Sequence, residues 1–529
     1  MKAFATLLDR LVLTPQRNGK LALLKAYFES TPDPDRGIAL AALASELELK
    51  TARPAIIRSL IEERADPTLF ALSYDYVGDL AETVSLMWPA EPTNHDTPTL
   101  SEIVETLAET PRKEVPEPIA RWLDASNPSS RWALLKLLTG GLRVGVSARL
   151  AKTALASLSE DLSTEDIEEV WHGVEPPYTA LFDWVEGRAD KPDISGIPTF
   201  RPLMLAHPLE EPDRAQITAE DFAAEYKWDG IRVQLVQVQG ETRLYSRTGD
   251  DISRAFPDVT QPMERDAVLD GELLVVRDGQ VASFNELQQR LNRKTVTKAM
   301  LADFPAHIRL YDLLVDDDED LRGLTYEQRR ARLVDFAGAV QPDRMDLSDP
   351  VTFKDWDELE TKRAAVADHA VIEGLMLKRR SSPYLIGRPK GHWYKWKREA
   401  QLVDAVLMYA QRGHGKRSSL YSDYTFGAVT NDPDTGDLTL VPIGKAYSGF
   451  TDEELKRIDK FVRDNTIDRF GPVRSVKAGL VFEVAFDSIH TSKRHKSGVA
   501  MRFPRIHRLR WDKPWQEADT LESVLKLVR

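Results

Sequence analysis

The spacing of apolar residues changes character twice along the 529 residues of this chain, and a chain of that length exceeds what one hydrophobic core usually spans. Up to about residue 195 apolar side chains recur every three or four residues, in Leu40–Leu49, Ala55–Ile61, Leu100–Leu107, Trp132–Leu138 and Leu150–Leu158. That spacing lines one face of a helix. Thr99 with Glu102 has the form of a capping box, and Gly140–Gly141 follow the Trp132–Leu138 pattern where a helix C-cap falls. Prolines at 176, 177, 192, 198 and 202 then interrupt the periodicity and read as a linker. From about 200 the pattern is that of strands: Ile231, Val233 and Leu235 alternate with Arg232 and Gln234, and Gly240 turns the chain before Leu244. Similar runs occur at Ala267–Val276, Ile308–Val315, Gly374–Lys378 and Trp393–Lys397, with a helical pattern at Tyr326–Phe336. Beyond 401, short strand patterns at Leu402–Ala410, Tyr424–Val429, Leu438–Ile443 and Leu480–Phe486, with one helix near Glu453–Val462, suit a small barrel. The expectation is an all-α domain over 1–196, an α+β domain over 197–400 and a β-barrel over 401–529.

Composition narrows the setting. No apolar run is long enough for a bilayer, and Met1–Arg10 lack the layout of a signal peptide, so a soluble cytoplasmic protein is expected. The chain has no cysteine, which excludes disulfides, thiolate catalysis and Cys-ligated zinc. The net charge of −13 argues against a uniformly basic surface. The acidity is uneven, however: residues 1–196 hold 20 Lys and Arg against 31 Asp and Glu, a balance of −11. Lys378, Arg379, Arg380, Arg388, Lys390, Lys395, Lys397 and Arg398 form one basic stretch and Lys493 to Lys513 another; taken alone, either reads equally well as a solvated face. Gly413–Ser418 misses the spacing of a phosphate loop and reads as a basic loop of the barrel, and the ten histidines have no metal-site spacing.

The segment Glu225-Tyr226-Lys227-Trp228-Asp229-Gly230-Ile231-Arg232 contains Lys-x-Asp-Gly, which by itself reads as a surface turn before a strand. Six further segments follow in order: Leu244–Arg247, Leu269–Leu273, Leu310–Leu314, Glu373–Lys378, Trp393–Lys397, and Met501–Arg505 continued to Lys513. This succession resembles the covalent nucleotidyltransferases, the superfamily of ATP-dependent DNA ligases, RNA ligases and mRNA capping enzymes. The resemblance implies a nucleotidyltransferase (adenylation) domain followed by an OB-fold.

By that resemblance Lys227 is the nucleophile that carries AMP. A lysine amine attacks phosphorus only when deprotonated, so its pKa is expected to fall through desolvation or through cationic neighbours such as Arg232, Lys395, Lys397 and bound metal. Lys395 and Lys397, two apart on a strand, face the same way. Asp270 and Glu272 share a strand face by the same rule and, with Glu373, resemble the ribose and metal contacts. The implied metal ligands are Glu272 and Glu373, for Mg²⁺ or Mn²⁺, which takes a few carboxylates plus phosphate oxygens. Glu225 corresponds to the residue that reads the adenine amino group, and Tyr311 to the ring that stacks on adenine. Arg247 corresponds to a nucleotide or nick-phosphate contact. Arg388 stands one place from the usual arginine, where this chain has Pro389. Arg510 and Lys513 correspond to groups that close over pyrophosphate.

The helical third favours DNA ligase over the alternative, an RNA ligase or capping-type enzyme, because it resembles the DNA-binding domain of larger ATP-dependent ligases, most clearly over Lys136–Val146. There Lys136, Arg143, Arg149 and Lys152 form a local basic cluster able to track phosphates. What the resemblance implies is a bacterial enzyme of DNA repair, replication or recombination. It would use ATP to seal 5′-phosphate/3′-hydroxyl nicks in double-stranded DNA through lysyl-AMP and DNA-adenylate, as a nucleoid-associated monomer that encircles its substrate.

Overall fold

A computed structural model describes the chain apart from residues 48, 50–52, 90–95, 292, 294, 367, 368, 370, 413–419, 433, 434 and 529. The proposed basic loop at 413–418 therefore lies outside the described residues. The chain divides into two compact units, Met1–Lys397 and Arg398–Arg529. No described helix is long and apolar enough to cross a membrane.

The first unit begins with helices running from Lys2–Leu13 to Thr179–Val185, packed around one apolar core that includes Phe4, Phe28, Leu40, Ile61, Ile103 and Leu134. Local chemistry sets their ends. The Thr99–Glu102 capping box is formed, and Pro128–Thr139 stops at Gly140, which takes φ +68 as its left-handed C-cap. Asp35 adds a tertiary cap by accepting from the backbone N–H groups of Leu100 and Ser101 at 3.1 and 2.9 Å. Between Pro128–Thr139 and Ala148–Ala156, buried Lys20 donates to the carbonyls of Val144 and Gly145 at 2.7 and 2.9 Å and so fixes the connecting loop.

The same unit continues into two sheets. One orders His207–Pro208, Trp393–Lys397, Ile372–Arg379, Phe222–Trp228 and Pro350–Val351. The other is built on Glu241–Ser246, Ile231–Val238, Ala267–Arg277 and Ala306–Asp316, antiparallel in that order. Asp229–Gly230 is the step at which the chain leaves the first sheet and enters the second. Gly230 is required there because a Cβ would lie 2.5 Å from the Leu273 carbonyl oxygen and 2.8 Å from Glu272 Cγ. Helix Tyr326–Val340 packs on Ala306–Asp316 and is anchored by Arg329, fully buried, which pairs with the equally buried Asp312 at 2.8 and 3.0 Å.

In the second unit Gln401–Arg412 pairs with Tyr421–Asn431 on one side. On its other side it meets Val481–Phe486 along its first half and Val473–Val476 along its second. Arg505–Arg510 pairs antiparallel with Val481–Phe486, and the apolar side of Asp452–Asp464 covers the core through Leu455, Ile458 and Val462. The architecture is thus helical, then nucleotidyltransferase-like, then OB-like.

Candidate active site

Lys227 sits one residue before the end of Phe222–Trp228, opposite Gly374 of Ile372–Arg379. The pairing register slips between Ile372 and Gly374, and Gly374 adopts φ +143. This irregularity lies at Glu373, whose carboxylate is turned toward the lysine: its Oε2 is 2.5 Å from Lys227 Nζ and 3.6 Å from Lys397 Nζ. Both Lys227 and Glu373 are largely buried.

The electrostatics overturn one expectation. Burial pulls the Lys227 ammonium down, but Glu373 and then Glu272 outweigh it, and the net shift is upward from the ordinary value. Lys227 is therefore held as an ammonium here, because its nearest charges are carboxylates rather than cations. Arg232 does not supply the expected free charge. It donates to both oxygens of Asp270, to the Met204 carbonyl and to the Tyr384 hydroxyl, so its charge is spent on a buried partner. Asp270 is correspondingly closed to a ligand, with Arg232 at 2.6 Å and the Tyr384 hydroxyl at 2.7 Å on its Oδ2. Glu272 differs from Asp270: burial pushes it up to about 7, opposed by Lys227 and Arg232.

The cations gather at Lys395 instead. Its pKa is lowered by burial and then by Arg388, Lys397, Lys227 and Arg247. Lys395 and Lys397 lie on the neighbouring strand of the same sheet, opposite Met376 and Gly374. Arg247 and Arg388 are exposed.

On the same strand as Lys227, Glu225 belongs to a buried polar cluster set against aromatic rings. Glu225, 3% exposed, accepts from Lys378 Nζ at 3.1 Å and from the Tyr326 hydroxyl. The Lys378 ammonium sits 4.4 Å from the centroid of the Tyr311 ring and 4.9 Å from that of Trp393. Lys378, part of a basic stretch that in sequence reads equally well as a solvated face, is 1% exposed. Lys378, Tyr326 and Tyr384 were not singled out from the sequence. Lys378 closes the Glu373–Lys378 segment, a signal available in the sequence, whereas nothing local marks Tyr326 or Tyr384.

Residues 203–397 match the family model "ATP dependent DNA ligase domain" and residues 417–513 match "ATP dependent DNA ligase C terminal region". A "Probable DNA ligase" of Koribacter versatilis is 31% identical over 577 aligned positions, covering 100% of this chain and 96% of that protein. The chain belongs to the ATP-dependent DNA ligase family. "DNA ligase 1" of Korarchaeum cryptofilum is 32% identical over 76% of this ligase and 72% of its own length. The solved structure "Pmar-Lig_PreS3" shares the fold at a TM-score of 0.61, with 16% identity, over 96% of this ligase and 99% of that chain.

Elsewhere in the ligase, the sequence-derived residues have these surroundings. In the second unit Arg510 and Lys513 converge on Asp404, at 3.1 and 2.7 Å. In the helical region Lys136 is engaged by Asp79 at 2.5 Å. Arg149 is held by Glu165 and Glu168 at 2.5 and 2.7 Å. Lys152 departs from the expected basic cluster: it is 9% exposed, stacks 4.3 Å over Trp171, and is lowered to about 8 by burial. Arg143 is exposed. Among the described residues no group of three or more His, Asp or Glu forms a metal cluster.

Proposed function

We propose that this ligase seals nicks in duplex DNA by way of an AMP carried on Lys227, and that the site around that lysine performs the adenylation. The observation that carries the reading is the placement of Lys227 Nζ between a carboxylate at 2.5 Å and a group of basic side chains centred on Lys395. Negative charge accumulates on the α-phosphate as nitrogen approaches, and Lys395, Lys397, Arg388 and Arg247 supply fixed positive charge to offset it. The Lys227 nitrogen bonds to the α-phosphorus, the bond to the bridging oxygen breaks, and pyrophosphate leaves. Glu373 Oε2 is the nearest acceptor for the Nζ proton. The AMP then passes to the 5′-phosphate of the nick, and attack by the 3′-hydroxyl releases it.

Glu272 and Glu373 offer the hard oxygen atoms that Mg²⁺ or Mn²⁺ requires, with phosphate oxygens completing the shell. When bound, such an ion supplies further neutralisation of phosphate charge. Glu225 faces the adenine amino group, and Tyr311 provides the stacking ring. Arg232, locked to Asp270, orders the wall of the pocket. Arg510 and Lys513 act on pyrophosphate during self-adenylation. In the helical region Lys136, Arg143 and Arg149 contact DNA phosphates, Arg143 foremost because it is exposed. The C-terminal unit is an OB-fold barrel that, with the helical region, lets a monomer encircle the nick.

Incubation with α-labelled ATP or GTP, followed by a chase with nicked DNA, tests the scheme. Label from ATP should stay on Lys227 and then transfer. Label that does not move to nicked DNA rules out the lysyl-AMP intermediate.

A further inference from the structure

Glu225 stands two residues before Lys227 on the same strand, so both side chains emerge on one face of the sheet. Both hydrogen bonds that reach its carboxylate from described residues end on Oε1, from the Tyr326 hydroxyl and from Lys378 Nζ at 3.1 Å. No described donor reaches Oε2. The two donors are themselves fixed. Lys378 is enclosed by the rings of Tyr311, Trp393 and Tyr326, whose centroids lie 4.4, 4.9 and 5.1 Å from its nitrogen. Tyr326 opens the helix Tyr326–Val340, which begins with a capping box formed by Thr325 and Gln328. Its backbone N–H donates to the Ser382 carbonyl at 2.7 Å. Burial, and then the charge of Glu225, push the Tyr326 phenol well above its ordinary value, so it remains a proton donor.

A carboxylate with one oxygen saturated presents a single, acceptor-only oxygen to a purine. Adenine carries an amino donor at its 6-position, whereas guanine carries a carbonyl acceptor there. An oxygen that can only accept stabilises the first and leaves the second as an unpaired, repelled acceptor. Discrimination by a buried hydrogen-bonding group is strong because the wrong base leaves that group without a partner.

We propose that Tyr326 is a specificity-determining positioning residue for ATP over GTP: with Lys378 it pins Oε1 of Glu225 and leaves Oε2 as the acceptor for the exocyclic amine of the base. This rests on the reading of Glu225 as the residue that faces that amine. Tyr326 lies outside the seven sequence segments and acts only through Glu225. Without its hydroxyl, Oε1 keeps one donor rather than two, and the carboxylate turns about its broad terminal torsion.

The test measures lysyl-nucleotide formation with ATP and with GTP, over a range of nucleotide concentrations, in wild type, Tyr326→Phe and Glu225→Gln. Phenylalanine keeps the ring that packs against Lys378. For Tyr326→Phe the ATP:GTP preference should fall about tenfold or more, the effect of losing one hydrogen bond to a charged group, with the KM for ATP rising more than kcat falls. Glu225→Gln should lower the preference at least as far, since its amide can donate to a 6-carbonyl. If Glu225→Gln lowers the preference and Tyr326→Phe leaves it at the wild-type value, the Tyr326 proposal is overturned while the reading of Glu225 stands. If Glu225→Gln leaves the preference unchanged, both fail.

Discussion

Glu373 Oε2 lies 2.5 Å from Lys227 Nζ, so the amine proposed to attack phosphorus is held as an ammonium by its nearest carboxylate. At neutral pH the free amine is then a small fraction, which grows tenfold per pH unit below the pKa. Lysyl-AMP formation should therefore accelerate from about pH 6 to about pH 9. In Glu373→Gln the pKa of Lys227 drops, so the rising limb should move to lower pH even as the maximal rate falls. Single-turnover labelling across that range checks the shift; identical limbs in the two proteins would remove Glu373 from control of the nucleophile.

Lys227→Arg should form no covalent adenylate. Arginine preserves charge beside Glu373 but does not deprotonate in the accessible range. Label retained at the wild-type level would place the nucleophile elsewhere.

Glu272 links the site to stability. Its pKa, raised by burial from 4.5 to about 7, makes the unfolded chain ionise first as pH rises, so folding loses stability between those two values and no more above them. Glu272→Gln, which stays neutral, should therefore melt close to wild type near pH 4.5. Its advantage should grow up to about pH 7 and then level off. Thermal melts at a series of pH values reveal the curve, and a constant difference across it contradicts the raised pKa.

Asp312→Ala should cost about 3–5 kcal/mol, because it strands the Arg329 guanidinium in a site where both partners are fully buried. Urea denaturation measures the loss. A cost below about 1 kcal/mol, the scale of an exposed pair, would show that Arg329 finds other compensation.

Nick affinity as a function of salt separates the basic residues of the helical region. Arg143→Ala should lower the slope of log affinity against log salt by about one, the signature of one lost phosphate contact. Arg149→Ala should lower it less, because Glu165 and Glu168 already engage that guanidinium. Equal slopes for wild type and Arg143→Ala would remove Arg143 from the DNA contacts.

The helices at Leu100–Glu109 and Pro128–Thr139 were legible because their stop and start signals are local: a Thr-x-x-Glu box and a left-handed glycine. The strands Ile231–Val238 and Ala267–Arg277 were legible from alternation and from the motifs they carry. Lys152 misled because its charge is visible in sequence while its burial against Trp171 is not.

Sequence alone determined the order of the regions and placed Lys227, Glu272, Glu373, Lys395 and Lys397 of the candidate site each in a short ordered segment whose spacing is a property of the chain. Tertiary structure decided how those charges are partitioned. Asp270 and Glu272 are two residues apart on one strand, yet one is consumed by Arg232 and Tyr384 while the other is pushed up by burial beside Lys227. Tyr326 reaches Glu225 across 101 residues, and Glu373 reaches Lys227 across 146. A protonation state depends on desolvation and on every charge within a few ångströms, and those neighbours are set by how the two sheets fold together, not by position along the chain.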